Sequence, residues 1–177
     1  MTRSFDRHLL EAFGRAEPWR CAYVGGTFDV LHRGHLALLA RVRGIAHRTV
    51  VSLNTDDFAE RYKRRPLLPL ADRMAVLSQC RLVDVVIVNE GDEDSTPAIV
   101  RSGADVIVHG SDWHKGNGLL EQMGLTEAWL EAHGITLVTL PYTDWVSTTQ
   151  LLEAYDQRAR VSPAARIMAQ ERAAGRV

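Results

Sequence analysis

An open α/β sheet of five parallel strands, with helices on both faces, is the fold class this sequence predicts, on three observations. Short Val/Ile/Leu-rich runs alternate along the chain with stretches of helical periodicity. The last four of those runs are Val/Ile/Leu-rich rather than alternating, as expected for strands buried on both faces. The chain has 177 residues, 46% hydrophobic and 24% charged, which is the length and balance of one ordinary folded domain.

The predicted strands are Cys21–Val24, Thr49–Leu53, Val83–Val88, Asp105–His109 and Ile135–Leu140. Leu38, Leu39, Val42 and Ala46 recur at helical spacing after the first strand, and Leu70, Met74 and Leu77 after the second. A third helix is expected over Pro97–Ser102, and a fourth within Leu119–Ala132, ended by Gly134. The first 20 residues read as an added helix, residues 21–157 as the main domain, and residues 158–177 as an Ala/Arg-rich tail without an apolar stripe. Strands and helices in this order imply right-handed crossovers and a Rossmann-like sheet. Such sheets bind ligands beyond the carboxyl ends of their strands, where strand order reverses. The ligand loops are therefore expected at Gly25–Gly34, Asn54–Pro69, Gly110–Gly118 and Pro141–Ser147.

Composition narrows the function classes. The formal net charge is −1, so no global field draws the protein to nucleic acid or to an anionic membrane. No apolar run approaches the ~20 residues that span a bilayer, and the N-terminus has no apolar signal region. Two cysteines, Cys21 and Cys80, make no disulfide framework; a reducing, cytoplasmic setting is expected. Of 21 basic residues only Lys63 and Lys115 are lysine, which marks each as a candidate for chemistry that arginine does not perform.

Residues 25–35, Gly-Gly-Thr-Phe-Asp-Val-Leu-His-Arg-Gly-His, follow the first strand and open a helix. Gly25 and Gly26 let backbone approach a phosphate closely, and a helix beginning near Gly34 offers free N–H groups to an anion. His32 and His35 are three apart and can face one pocket, where imidazoles can donate to phosphate oxygens as charge grows on them. A bare HxxH is as often a surface or capping pair, and a metal site using His32, His35, His109 and His114 is a further alternative. The Gly-rich turn between strand and helix favours phosphate.

The stretch GTFDVLHRGH, residues 26–35, resembles the signature of the nucleotidyltransferase superfamily with an HxGH motif, in its cytidylyltransferase branch. The resemblance runs from about Tyr23 to Leu152. It implies that Gly26, Thr27, Phe28, Gly34 and His35 contact the nucleotide and that His32 and His35 act on the reacting phosphates. Val146–Thr149 is similar to the family's ISTT element, so Ser147, Thr148 and Thr149 are expected to hold the leaving phosphates. Lys63, Arg64 and Arg73 match the family's basic loop: Lys63 is expected in catalysis and at the acceptor, Arg64 at the nucleotide and Arg73 at the acceptor. Arg81 resembles the arginine of the family's Arg-Tyr-Val-Asp segment and is expected at the acceptor. Asp29 and Tyr142 complete the expected acceptor set. His109–Trp113 resembles a Gly-Asp-Asp-Trp loop, giving Asp112 and Trp113 to the nucleotide, with Ser111 in place of one acid.

The family's reaction, implied here, is in-line attack of an acceptor phosphate on the α-phosphorus of a nucleoside triphosphate. CTP is the expected nucleotide, Mg²⁺ the expected cofactor carried mainly on its phosphates, with no metal held by side chains, and a homodimer the expected assembly. Two features depart from the glycerol-phosphate members. Tyr142 and Trp145 stand where those enzymes carry arginine and glycine, and the acidic loop Glu90–Asp94 is available to an amine-bearing acceptor. Glu93–Pro97 and Arg65–Leu67 look more like the adenylyltransferase domain of heptose-phosphate enzymes. An ATP-using adenylyltransferase acting on a sugar phosphate is thus an alternative, and a nucleotide-binding regulatory module without turnover is another.

Overall fold

The computed structural model describes residues 4–110, 118–140, 148–161 and 171–172. It divides into two compact units, Met1–Thr143 and Asp144–Val177. The first unit carries α1 (Arg7–Ala12), β1 (Trp19–Gly26), α2 (Arg33–Ile45), β2 (Ala46–Asn54), α3 (Asp56–Tyr62), α4 (Leu70–Ser78), β3 (Val85–Asn89), α5 (Thr96–Ser102), β4 (Val106–Gly110), α6 (Leu119–Gln122), α7 (Glu127–Ala132) and β5 (Thr136–Leu140). The second carries α8 (Thr148–Val161).

The five strands form one parallel sheet in the order β3-β2-β1-β4-β5, so strand order reverses between β1 and β4. Its two faces bury separate clusters. On one, Leu39, Val42 and Ile45 of α2 and Leu77 of α4 pack on Val24, Val51 and Leu53. Leu10 joins them, with Phe5, Leu9 and Phe13 beside it, so the N-terminal segment belongs to this core. On the other, Ala98 and Ile99 of α5 and Met123, Leu125 and Leu130 pack on Tyr23 and Ile107. Thr49–Leu53 are all buried, Val51 and Leu53 in the first cluster, so both faces of this strand are covered and its run does not alternate apolar with polar.

Two aspartates set the start of the sheet. Asp84 accepts from the Thr49 N–H at 2.7 Å while its own N–H donates to the Thr49 carbonyl at 2.9 Å. Asp105 accepts from the Cys21 N–H at 2.8 Å and the Arg20 N–H at 3.0 Å. Each stands just ahead of a strand and clasps backbone in the amino-terminal half of the neighbouring one, fixing parallel register there.

Several boundaries differ from the sequence reading. α2 passes into β2 without a loop, because Ala46 is extended, buried and hydrogen-bonded back to Val42. Val83 lies in a turn held by Cys80, so β3 begins at Val85. α3 occupies part of the predicted loop Asn54–Pro69; its signals were Thr55, which caps Phe58 N–H, and the acids Asp56 and Asp57 in its first turn. The fourth predicted helix is two, parted at Gly124, whose φ of +66° ends α6. Among the described residues no helix is long and apolar enough to cross a membrane.

Candidate active site

The loop from β1 to α2 stands at the strand-order reversal. His32 is the N-cap of α2: its Nδ1 accepts from the Gly34 N–H at 3.1 Å. His35, three residues on, accepts at Nδ1 from the His32 backbone N–H at 3.4 Å, closing a capping box made of two imidazoles. The rings stack with centroids 3.8 Å apart, and Phe28 backs His35 at 4.9 Å. With both Nδ1 atoms accepting, the proton of each neutral ring sits on Nε2, leaving an N–H donor on each.

Burial keeps these rings neutral. It lowers the pKa of His32. His35 is pushed down to about 3 by burial first and by neighbouring His32 second, against the opposing pull of Asp29. Two neutral donors at a helix N-terminus suit a phosphate whose charge develops during reaction.

The loop reaches this geometry under strain. Phe28 and Val30 take φ of +50° and +48°, each costing roughly 1–3 kcal/mol for a side chain other than glycine. Two buried side chains fasten it. Arg73 donates to the carbonyls of Thr27, Asn54 and Leu68 and pairs with Asp56. Asp29 accepts from the N–H groups of Leu67 and Leu68 and pairs with Arg64 at 3.0 Å. The turn is thereby tied to the end of β2, the start of α3 and the basic loop.

Gly26, Thr27, Phe28, His32, Gly34 and His35 come together as the motif implied, with Arg64 beside them through Asp29. Lys63 is exposed at the C-terminus of α3, at the ligand edge of the sheet. Three expected acceptor residues lie elsewhere in role. Arg73 is 1% exposed and binds backbone and Asp56, so it shapes the site instead of facing an acceptor. Asp29 is 4% exposed, its carboxylate directed onto the basic loop. Arg81 follows α4 and precedes β3, which puts it at the amino edge of the sheet, opposite the HxGH loop.

The acidic loop is also engaged internally. Asp92 binds Thr55 and Arg61, Glu93 meets Arg61, Glu90 meets Arg101, and Asp94 caps Thr96. It braces α3 and α5, and its carboxylates are not arrayed for an amine. Asp112, Trp113, Tyr142, Trp145 and Ser147 lie outside the described residues, as does His114. Thr148 and Thr149 open α8 in the second unit. Among the described residues no group of three or more His, Cys, Asp or Glu is placed to hold a metal ion.

The sequence reading missed a cleft over the carboxyl ends of β1, β2 and β4. Asn54, Phe58, Tyr62, Ser95, His109 and Gln122 line it, with Gly25 and Gly26 at the strand end. The readable signal was the pair of polar residues ending apolar strands, Asn54 and His109, at the edge where such sheets bind ligands.

The cytidylyltransferase-like family model matches residues 23–154. The chain is 38% identical over 158 residues to the bifunctional protein HldE of Streptomyces coelicolor, covering 88% of this chain and 32% of that protein. It is 33% identical over 153 residues to the bifunctional protein HldE of Escherichia coli, covering 84% and 30%. The chain thus spans about a third of the length of these relatives. The crystal structure of a lipopolysaccharide core biosynthesis protein from Thermoplasma volcanium superposes with a TM-score of 0.58 at 23% identity, covering 72% of this chain and 99% of that one. Pantothenate synthetase from Thermus thermophilus superposes with a TM-score of 0.53 at 17% identity, covering 85% and 67%. Both structures share the fold. With its motif, its sheet order and three quarters of its length matched, the chain belongs to the cytidylyltransferase-like family of nucleotidyltransferases.

Proposed function

We propose that the chain transfers a nucleoside monophosphate, AMP in preference to CMP, from its triphosphate to a sugar phosphate and releases pyrophosphate. One observation carries the transfer reading: two stacked, neutral imidazoles, His32 buried and His35 half-buried, present Nε2–H donors at the N-terminus of α2. The likeness of Glu93–Pro97 and Arg65–Leu67 to heptose-phosphate adenylyltransferase domains weighs toward ATP and a sugar phosphate. CTP is the second reading, favoured by the family model and by GTFDVLHRGH.

In the proposed step an acceptor phosphate oxygen forms a bond to the α-phosphorus as the bond to the β-phosphate oxygen breaks. The acceptor is ionised at neutral pH, so no side chain needs to remove a proton. His32 and His35 donate to the reacting phosphate and Arg64 and Lys63 neutralise charge, while the resemblance of Val146–Thr149 to the ISTT element is what assigns the pyrophosphate to Ser147, Thr148 and Thr149. Mg²⁺, when bound, neutralises the triphosphate. The carboxylate nearest the histidines, Asp29, is committed to Arg64 and the basic loop, so the ion fits as one carried by phosphate oxygens and water. Pyrophosphate release measured for four nucleotides against a panel of phosphorylated acceptors tests the reading. Release with ATP and a sugar phosphate is expected. Release with CTP alone selects the second reading, and binding without release under every condition leaves a regulatory module.

A further inference from the structure

The cleft and the histidines lie on opposite sides of β1. Tyr23 belongs to the cluster packed by α5 and the α6–α7 segment, whereas Phe28 belongs to the cluster packed by α2. Between them run Gly25 and Gly26. A Cβ on Gly25 would stand 3.2 Å from the Tyr23 ring, and one on Gly26 would stand 3.1 Å from the Phe28 ring. Side chains there would crowd the step that joins the two sides.

The cleft's chemistry differs from that of the loop. Among the described residues its wall holds no lysine, arginine, aspartate or glutamate. It offers the amides of Asn54 and Gln122, the hydroxyls of Tyr62 and Ser95, the imidazole of His109 and the aromatic faces of Phe58 and Tyr62. These groups are held. Tyr62 donates to Gln122 Oε1 at 2.9 Å, bridging α3 and α6. Asn89 Nδ2 donates to Ser95 Oγ at 3.3 Å. Phe58 and Tyr62 lie one helical turn apart with ring centroids at 6.0 Å.

We infer that this cleft seats the uncharged, hydroxyl-rich body of the acceptor, a sugar ring, while the acceptor's phosphate crosses the Gly25–Gly26 step to the histidines. Amides and hydroxyls exchange hydrogen bonds with sugar hydroxyls, and an aromatic face covers the C–H face of a ring. A wall without lysine, arginine, aspartate or glutamate offers no ion pair to a bare phosphate or an ammonium group, so its hydrogen bonds are matched best by uncharged hydroxyls. Gln122 and Tyr62 are the specificity-determining pair, because their bond sets the width of the cleft between α3 and α6. The inference rests on the proposed function and names its acceptor side.

Calorimetry on the whole chain tests it, using hexose 1-phosphates and 6-phosphates, ribose 5-phosphate and glycerol 3-phosphate, with methyl phosphate as the sugar-free control. At least one sugar phosphate is expected to bind about tenfold or more tightly than methyl phosphate, the worth of one or two net hydrogen bonds. Gln122→Ala should remove about fivefold or more of that advantage, and Tyr62→Phe a smaller part, with ATP affinity moving less than about twofold. Unchanged thermal unfolding of both variants confirms that the fold survives. Methyl phosphate or glycerol 3-phosphate binding as well as every sugar phosphate overturns the inference, and so does a ratio untouched by both substitutions. Binding is read without turnover, so failure of pyrophosphate release and failure of this cleft are separate results.

Discussion

The guanidinium of Arg73 donates to the backbone carbonyl of Thr27 at 2.7 Å, across 46 residues of sequence. The same group reaches the carbonyls of Asn54 and Leu68 at 3.0 Å each and the carboxylate of Asp56. One planar fork thus holds the strained turn, the end of β2 and the basic loop in one arrangement.

Arg73→Met should destabilise the fold by about 3 kcal/mol or more, because several buried acceptors lose their donor together. Arg73→Lys should recover only part of this, since an ammonium cannot span the same set of acceptors. Urea unfolding measures both. A loss below about 1 kcal/mol for Arg73→Met would mean that the turn is held by other contacts.

His35→Ala should lower kcat by about a hundredfold or more while the folded state persists, through loss of a donor aimed at the reacting phosphate. Steady-state kinetics beside circular dichroism reads both. A change under about threefold would remove His35 from the chemistry.

His35 also makes the fold acid-sensitive, with a definite sign. In the unfolded chain its ring takes a proton as pH falls through about 6.5. In the folded chain it does so only near 3, chiefly because of burial. The unfolded state therefore binds more protons between these values, and stability falls as pH falls across that window and is unaffected above it. His32, lowered in the same direction by burial, adds to the slope. Denaturant titrations from pH 7 to pH 4 should show a shallower fall for His35→Gln than for the unsubstituted chain; parallel curves contradict the buried neutral ring.

Asp105→Ala should cost about 1–3 kcal/mol, since the N–H groups of Cys21 and Arg20 lose their acceptor. Burial would raise the Asp105 pKa, but these bonds outweigh it and hold the carboxyl below its usual value. Its stabilisation is full above the ordinary aspartate value and is lost as pH falls through the lower folded one. The acid midpoint of unfolding checks this: the alanine variant should lose the part of the acid transition that protonation of Asp105 contributes.

Lys63→Met should reduce kcat/KM by about tenfold or more, with little change in stability because the residue is exposed. Lys115→Met should matter less. Equal and small effects would take lysine out of the mechanism.

Local signals in the chain were enough for the strands, the parallel sheet and the HxGH loop. Thr49–Leu53 does not alternate apolar with charged residues because both its faces are covered, and that pattern is local. Gly26 to His35 is one short segment, so its spacing carries its geometry. The family resemblance also gave Asp29, Arg73 and Arg81 one expected role, at the acceptor. Only tertiary structure separated them, because burial and partners depend on chain distant in sequence. Arg73 meets Thr27 and Asn54, Asp29 meets Leu67 and Leu68, and Arg81 is carried by α4 to the far edge of the sheet. The cleft likewise brings Gly25, Asn54, Ser95 and Gln122 to one place from four segments. Local periodicity decides which stretch becomes a strand or a helix, whereas a pocket is set by strand order, and the 3-2-1-4-5 order is decided when the strands pair.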